Sequence, residues 1–385
     1  MTSFESREAA MQRLKVGVIG AGGIAQIEHI PNLMKLKRQF EILGVCDPSA
    51  KVRAFIGEEF GLMAFDNIDR LIAQPLDAVV IASPDPLHHE QVLAALARGF
   101  HVFCEKPLCY AVTDIDELIA ARDRAGKVLQ VGYMKRYDPS YESALARMPG
   151  TAKTLRYVAV EVNDPDAWPF IKHHTWRHGD DVGPELISSG KNKQQMQVAR
   201  AVPVPLDAMS FRGFTGAYCS SLVHDVNAVH GLLDGLGIPD GEIAGAQLFA
   251  GGDGGQGSVQ LLGGQALWNM VHLKVPALAD YREHITFYFD EGVLELEFPS
   301  PWLNHQPTRL TVKKSNGYTL VSEDVRTGYE EAFIEELKGF WSAIVEGKPV
   351  RNTAEQARRD MKLLSGLAAF HATRTPSAQS NGAGS

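Results

Sequence analysis

Residues 16–33 read VGVIGAGGIAQIEHIPNL. A run of apolar and small residues ends at Gly20, and the string Gly20-Ala21-Gly22-Gly23-Ile24-Ala25 then opens a stretch with helical spacing. The first glycine permits a tight turn out of a strand. The second lets backbone approach a pyrophosphate, and Ala25 lets the helix pack close to the strand. The N–H groups of Gly23 and Ile24, at the positive end of the helix dipole, are then placed to meet phosphate. The next strand, EILGVCD (41–47), ends on Asp47, where a carboxylate can accept hydrogen bonds from the adenosine ribose hydroxyls. Strand, glycine string, helix and acid together predict a dinucleotide-binding unit. Asp47 would repel a 2′-phosphate, which favours NAD, while Lys51 and Arg53 nearby keep NADP open. Asp47-Pro48-Ser49 also reads as a turn capping the following helix, and the two roles are compatible.

Working outward, the same rhythm continues to Gly132. Strand candidates 77–83, 101–105 and 128–132 alternate with helical segments at 49–60, 87–98 and 113–125, as in a parallel, doubly wound sheet. Thr113 with Asp116 reads as a capping box, and Gly126 as the stop of that helix. Beyond Gly132 the period changes to two. TLRYVAVEV (154–162), SVQLLG (258–263), ALWNMVHLKV (266–275), HITFYFD (284–290), GVLELEF (292–298) and RLTVKK (309–314) predict a large, mostly antiparallel sheet, with turns at GGDGGQG (251–257) and DEG (290–292). A helix near 218–234 interrupts this half. Two more close the chain, the first carrying the stripe Phe333, Leu337, Phe340, Trp341 and Ile344, the second capped by Thr353 with Gln356. The fold class is therefore an α/β Rossmann domain, 1–134, followed by an α+β domain, 135–374, whose closing helices can pack back on the first. The polar tail 375–385 is expected to be disordered.

Composition narrows the function. With 385 residues, 45% hydrophobic and 22% charged, the chain can bury a large core. A net charge of −8 and the lack of a basic run argue against nucleic acid. No long apolar segment points to a membrane, and Glu5 and Glu8 stand where a signal peptide needs an apolar run. Cys46, Cys104, Cys109 and Cys219 form no CxxC pair, which fits a reducing, cytoplasmic setting. Partners are expected to be small molecules and further copies of the chain, as a dimer or tetramer.

Chemistry enters where the fifth strand candidate runs into Cys104-Glu105-Lys106-Pro107. Lys106 lies at the carboxyl end of a parallel strand, the edge at which open α/β sheets bind ligands. A lysine there can hydrogen-bond a substrate oxygen; the plain alternative is an exposed loop lysine. His224 falls on the opposite side of its helix from the stripe Leu222, Val226, Val229 and Leu233, together with Ser220 and Asn227.

Taken together, VGVIGAGGIAQIEHIPNL (16–33), SPDPLHHEQV (83–92), CEKPLC (104–109) and VGYMKRYDPSY (131–141) resemble the glucose-fructose oxidoreductase and inositol dehydrogenase family, Gfo/Idh/MocA, in order and spacing. The resemblance implies an NAD(P)-dependent oxidoreductase acting on a secondary alcohol of a sugar, polyol or related compound. It makes Lys106 and His224 the catalytic pair. Cofactor contacts carried over from it are Ser83, Pro84, His88, Glu105 and Lys106, besides Gly20, Gly22, Gly23, Ile24 and Asp47. His88 has a second reading, as a cap on the following helix. Tyr133, Arg136, Trp176, Arg177 and Ser220 join Lys106 and His224 on the substrate side, Arg136 being equally suited to a carboxylate across the domain junction.

Two departures from the family stand out. Dehydrogenase members often carry an aspartate one turn before the histidine, and here that position is Ser220, which cannot hold negative charge. The segment 178–212, including GKNKQQMQVARAVPVP (190–205), is longer than the usual connection; it reads as an insertion with a helix around 192–200, serving as a lid, an oligomer contact or an inert loop. The missing acid keeps open a redox-neutral lyase, glycosidase or epimerase using tightly held NAD, and fold alone leaves a non-catalytic dinucleotide sensor. His173, His174 and His178 lack acidic or cysteine co-ligands in their spacing, so no metal is expected.

Overall fold

Leu14–Ile19 (β1), Phe40–Cys46 (β2), Ala64–Phe65 (β3), Ala78–Ile81 (β4), His101–Glu105 (β5) and Leu129–Gly132 (β6) pair in parallel, in the order β3-β2-β1-β4-β5-β6, in a computed structural model that describes residues 12–374. The expected disordered tail and the acidic start at Glu5 and Glu8 lie outside the described residues. β4 is buried throughout, which is why it reads as an unbroken apolar run. The strand order reverses between β1 and β4, so a crevice opens at their carboxyl ends. β3 and the short helix Ile68–Ile72 were not anticipated: two paired residues leave no period to read, although Asn67 caps that helix by accepting from Asp69 N–H at 2.7 Å.

The second sheet comprises Leu155–Asn163 (β7), Glu242–Phe249 (β8), Gly254–Leu261 (β9), Ala266–Leu273 (β10), Arg282–Phe289 (β11), Gly292–Phe298 (β12), Arg309–Asn316 (β13) and Thr319–Val325 (β14), in the order β14-β13-β12-β11-β7-β10-β9-β8. Every neighbour pair is antiparallel except β7 with β10. The two edge strands escaped the sequence reading because β14 is exposed almost throughout and β8 alternates weakly. Most of the glycine run expected as a turn belongs to β9. A Cβ on Gly255 would lie 2.6 Å from the Tyr218 ring and one on Gly257 2.7 Å from Leu367, so these glycines admit helices against the sheet.

One face of this sheet packs on the helices Val223–Gly235 and Ala354–Arg374, with Trp268 edge-on to His230 at 5.4 Å. The helix Ala332–Val345 turns the other way. Its Leu337, Phe340 and Trp341 share a core with Leu14, Val16, Ile30 and Phe103 of the first sheet layer. The Thr353–Gln356 box forms as expected, Thr353 N–H donating to Gln356 Oε1 at 2.9 Å and Gln356 N–H to Thr353 Oγ1 at 3.3 Å. Thr113 does not cap: the helix Val112–Ala125 starts from Ala111 without a side-chain bond, and Asp116 instead accepts from Arg358 at 2.5 Å. That tertiary ion pair outcompetes the local box.

Candidate active site

Gly20 sits at φ 86°, and a Cβ there would lie 2.5 Å from the Ser83 backbone, so only glycine lets the loops after β1 and β4 approach so closely. Nothing lies within 4 Å of where a Cβ on Gly22 or Gly23 would stand. This open cradle at the start of the helix fits a pyrophosphate. Asp47 braces it, one carboxylate oxygen accepting from Ala21 N–H and the other from Ser49 N–H, both at 2.9 Å. Burial is the largest influence on Asp47 and raises its pKa above the ordinary value despite those two donors.

The glycine-string helix contains a π-helical turn, Ala25–His29, that buries three polar side chains, Gln26, Glu28 and His29. His29 Nε2 meets Glu105 Oε1 at 2.6 Å, while Glu105 Oε2 accepts from Lys106 N–H at 3.2 Å. Burial works to raise the Glu105 pKa, but the His29 hydrogen bond and nearby cations outweigh it and hold the carboxyl below its ordinary value. Glu105 is thus turned toward protein and fixes the backbone of Lys106. His88, fully buried, joins the loops after β4 and β5, with Nδ1 2.9 Å from the Pro107 carbonyl oxygen and Nε2 2.9 Å from that of Ser83. It makes no cap on its helix. The Ser83 hydroxyl donates to Gln91 at 2.5 Å, and Pro84 precedes the short turn Asp85–Leu87.

Lys106 reaches across to the second domain. Its ammonium donates to the Ser220 carbonyl oxygen at 2.7 Å, within a second π-helical turn, Phe214–Leu222. The backbone oxygen of residue 220 therefore receives the cation where an acidic side chain was anticipated. One turn on, His224 sits edge-to-face with Tyr133, ring centroids 6.2 Å apart. Its Nδ1 is buried without a partner, as is the Tyr133 hydroxyl. Burial, reinforced by the Lys106 and Lys135 charges, keeps the His224 pKa well below the ordinary histidine value.

Behind His224 lies a polar network that the sequence reading did not assemble. Lys135 pairs with Asp225 at 3.3 Å and with Glu283, and Tyr281 donates to the other Glu283 oxygen at 2.8 Å. Burial and the Glu283 charge hold the Asp225 carboxyl well above the usual range, against the pull of Lys135. Asp225, adjacent to His224, points about 100° away from it around the helix. Asp164, directly after β7, is the second omission. Burial pushes its carboxyl up to about 6, with Glu283 adding to the rise and Lys106 and Lys135 opposing it. A lone acid after a strand carries no periodic signal.

Three further residues expected on the substrate side have partners of their own. Arg136 lies against Gly231 and Tyr141, two turns beyond His224, where a Cβ on Gly231 would be 2.8 Å from its guanidinium. Arg177 is tied by its backbone to Gln26, N–H to Oε1 at 2.7 Å and carbonyl to Nε2 at 2.9 Å, which sets it above the glycine string. Trp176 stacks edge-on with His178, and His174 faces the Trp302 carbonyl. Among the described residues no three His, Cys, Asp or Glu side chains gather as a metal site. The four cysteines are buried free thiols, and no described helix is long and apolar enough to cross a membrane.

The strand order and the open glycine cradle define a Rossmann-like sheet of the dinucleotide-binding type, joined to a large, mostly antiparallel sheet. Residues 14–133 match the sequence model of the Gfo/Idh/MocA oxidoreductase family, NAD-binding Rossmann fold. Inositol 2-dehydrogenase 3 of Saccharopolyspora erythraea is 39% identical over 130 residues, 33% of this chain and 38% of that protein. Inositol 2-dehydrogenase of Klebsiella pneumoniae is 38% identical over 133 residues, with 33% and 39% covered. The chain thus matches well under half the length of these relatives. Its whole fold is shared with UDP-N-acetylglucosamine 3-dehydrogenase of Acidithiobacillus ferrooxidans, TM-score 0.66 at 19% identity, covering 94% of this chain and 99% of the other.

Proposed function

We propose that this chain is an NAD-dependent dehydrogenase that interconverts a secondary alcohol of a sugar or polyol and the corresponding ketone. The observation that carries the reading is the Lys106 ammonium, just past the carboxyl end of β5, bonded to the Ser220 carbonyl one helical turn before His224, in a chain whose glycine string leaves an open cradle after β1. Gly22, Gly23 and Ile24 would hold the pyrophosphate and Asp47 the adenosine ribose. Bound there, NAD supplies the acceptor for the hydride leaving the carbinol carbon.

The chain's own groups handle the proton. His224 is neutral at physiological pH, the state in which its imidazole accepts the hydroxyl proton. With Nδ1 buried, Nε2 is the nitrogen that takes it. The Lys106 ammonium, anchored on the Ser220 carbonyl, has further N–H groups to donate to the same substrate oxygen as negative charge develops on it. Asp164 lends that ammonium a nearby negative charge in place of the missing acid at position 220.

Sugar and polyol substrates follow from the inositol dehydrogenase relatives and from polar groups lining the cleft. The open face of the second sheet, including Tyr157 and Tyr288, is our choice for a homo-oligomer contact. Buried free thiols support a cytoplasmic setting. A Lys106→Met variant is expected to lose about 100-fold or more in turnover while still binding NAD. Near-normal turnover with cofactor bound would remove Lys106 from the mechanism.

A further inference from the structure

The segment that leads into the insertion crosses the Rossmann crevice on the adenosine side. Arg177 is clamped on Gln26, whose side chain is buried and also donates to the Ala21 carbonyl at 2.5 Å. Gly179 then passes over Ser49, close enough that a Cβ on it would lie 3.0 Å from the serine's own. Asp181 receives the Ser49 hydroxyl on one carboxylate oxygen and Lys51 N–H on the other, the latter at 3.2 Å. Asp180 takes the Lys51 ammonium at 2.8 Å. From there the helix Pro184–Ala201 returns along the Rossmann domain, Gln197 donating to the Pro86 carbonyl at 2.9 Å, Lys193 pairing with Glu90 and Arg200 with Asp114. The strap thus grips the domain beyond β1, β2 and β4 in turn.

What Asp181 and Asp180 occupy matters for cofactor choice. The Ser49 hydroxyl, the first N–H groups of the helix Ala50–Phe60 and the Lys51 ammonium are the donors nearest the ribose that Asp47 would hold, and together they suit an extra phosphate on that ribose. In this chain those donors are already filled by the chain's own carboxylates. Asp47 and Asp181 lie near enough to repel each other, so a dianion entering between them meets two negative charges.

We propose that Asp181, carried on the 176–181 strap, determines cofactor specificity by taking the place of a ribose 2′-phosphate, so that NAD is accepted and NADP is refused. The inference rests on the dinucleotide-binding reading above. It also assigns the insertion a function at the cofactor end of the crevice. Lys51 and Arg53, which left NADP open in the sequence, are both engaged: Lys51 is paired with Asp180, and one Arg53 nitrogen donates to the Asp47 and Pro48 carbonyls at 2.8 Å.

The test is titration of NAD and NADP, followed by quenching of protein fluorescence, against the full-length protein and its Asp181→Ala and Asp181→Asn variants. Asp181 is exposed, so both changes should leave the fold intact. Wild type should bind NAD in preference. Each variant should bind NADP about tenfold more tightly than wild type does, with NAD affinity within about threefold of its starting value. An unchanged NAD-to-NADP ratio in both variants, with NAD still bound, would overturn the role of Asp181 and leave the cofactor reading standing. Equal wild-type affinity for the two dinucleotides would do the same. Binding of neither dinucleotide by any form would instead overturn the cofactor reading, and this inference with it.

Discussion

Asp164 is the residue whose protonation should be visible in a rate. Its carboxyl titrates near 6, within reach of the Lys106 and Lys135 charges, whereas His224 is held neutral to well below that pH. Above pH 6 the carboxylate is ionised and supports the lysine; below it, protonation removes that support. The pH profile of kcat/KM for alcohol oxidation is therefore expected to fall on the acid side with an apparent pKa of about 6. Asp164→Asn should remove that limb and lower the plateau, while Lys106→Met lowers the rate at every pH. A variant at position 164 that keeps the wild-type acid limb would contradict the assignment. Single residues of this kind were the least legible part of the sequence. Lys106 could be placed at a strand end from its position and motif, but the helix of His224 is buried on nearly every side, Asn227 included, so the apolar stripe does not set His224 apart as the spacing suggested. Asp164, Lys135 and Glu283 owe their importance to a tertiary meeting that no local spacing records.

At the scale of elements, the Val223–Gly235 helix is held in register by a buried cation between two carboxylates. Lys135 comes from the domain junction, Asp225 from the helix and Glu283 from β11, so one ammonium joins three elements beneath His224. Lys135→Met would leave Asp225 and Glu283 facing each other without it. Removing one partner of such a buried set costs about 3–5 kcal/mol, and chemical denaturation should show a loss of that size. A loss of under about 1 kcal/mol would mean that the two acids relax by sharing a proton. Helices and inner strands with a clear period were legible, β5 to its last residue. What the sequence concealed were elements whose shape is set by partners: the two-residue β3, the exposed β14, and two π-helical turns, Ala25–His29 and Phe214–Leu222. The first carries His29 to Glu105, the residue before Lys106. The second presents the Ser220 carbonyl to Lys106, which makes the departure at position 220 intelligible as a change from side-chain to backbone acceptor.

Across the whole molecule, the parts built on the two sheets are tied together at several places. The helix Ala332–Val345 completes the Rossmann core, the strap at 176–181 lies on the cofactor crevice, and Lys106 spans to the second domain. The double-layer architecture was legible because each sheet has its own period. The strap was legible only as extra length, since its anchors, Gln26 and Ser49, lie far away in sequence. A strap gripping Gln26 and Ser49 and a serine at position 220 also suit a redox-neutral enzyme that would keep its NAD, so the central claim turns on whether electrons leave with the cofactor. The direct measurement is to incubate the purified full-length protein with NAD and a panel of sugars and polyols, following both reduced-nicotinamide absorbance and product. Net NADH formation, one per ketone produced and absent in Lys106→Met, is the predicted result. Product formed by protein-bound NAD without net NADH would contradict it.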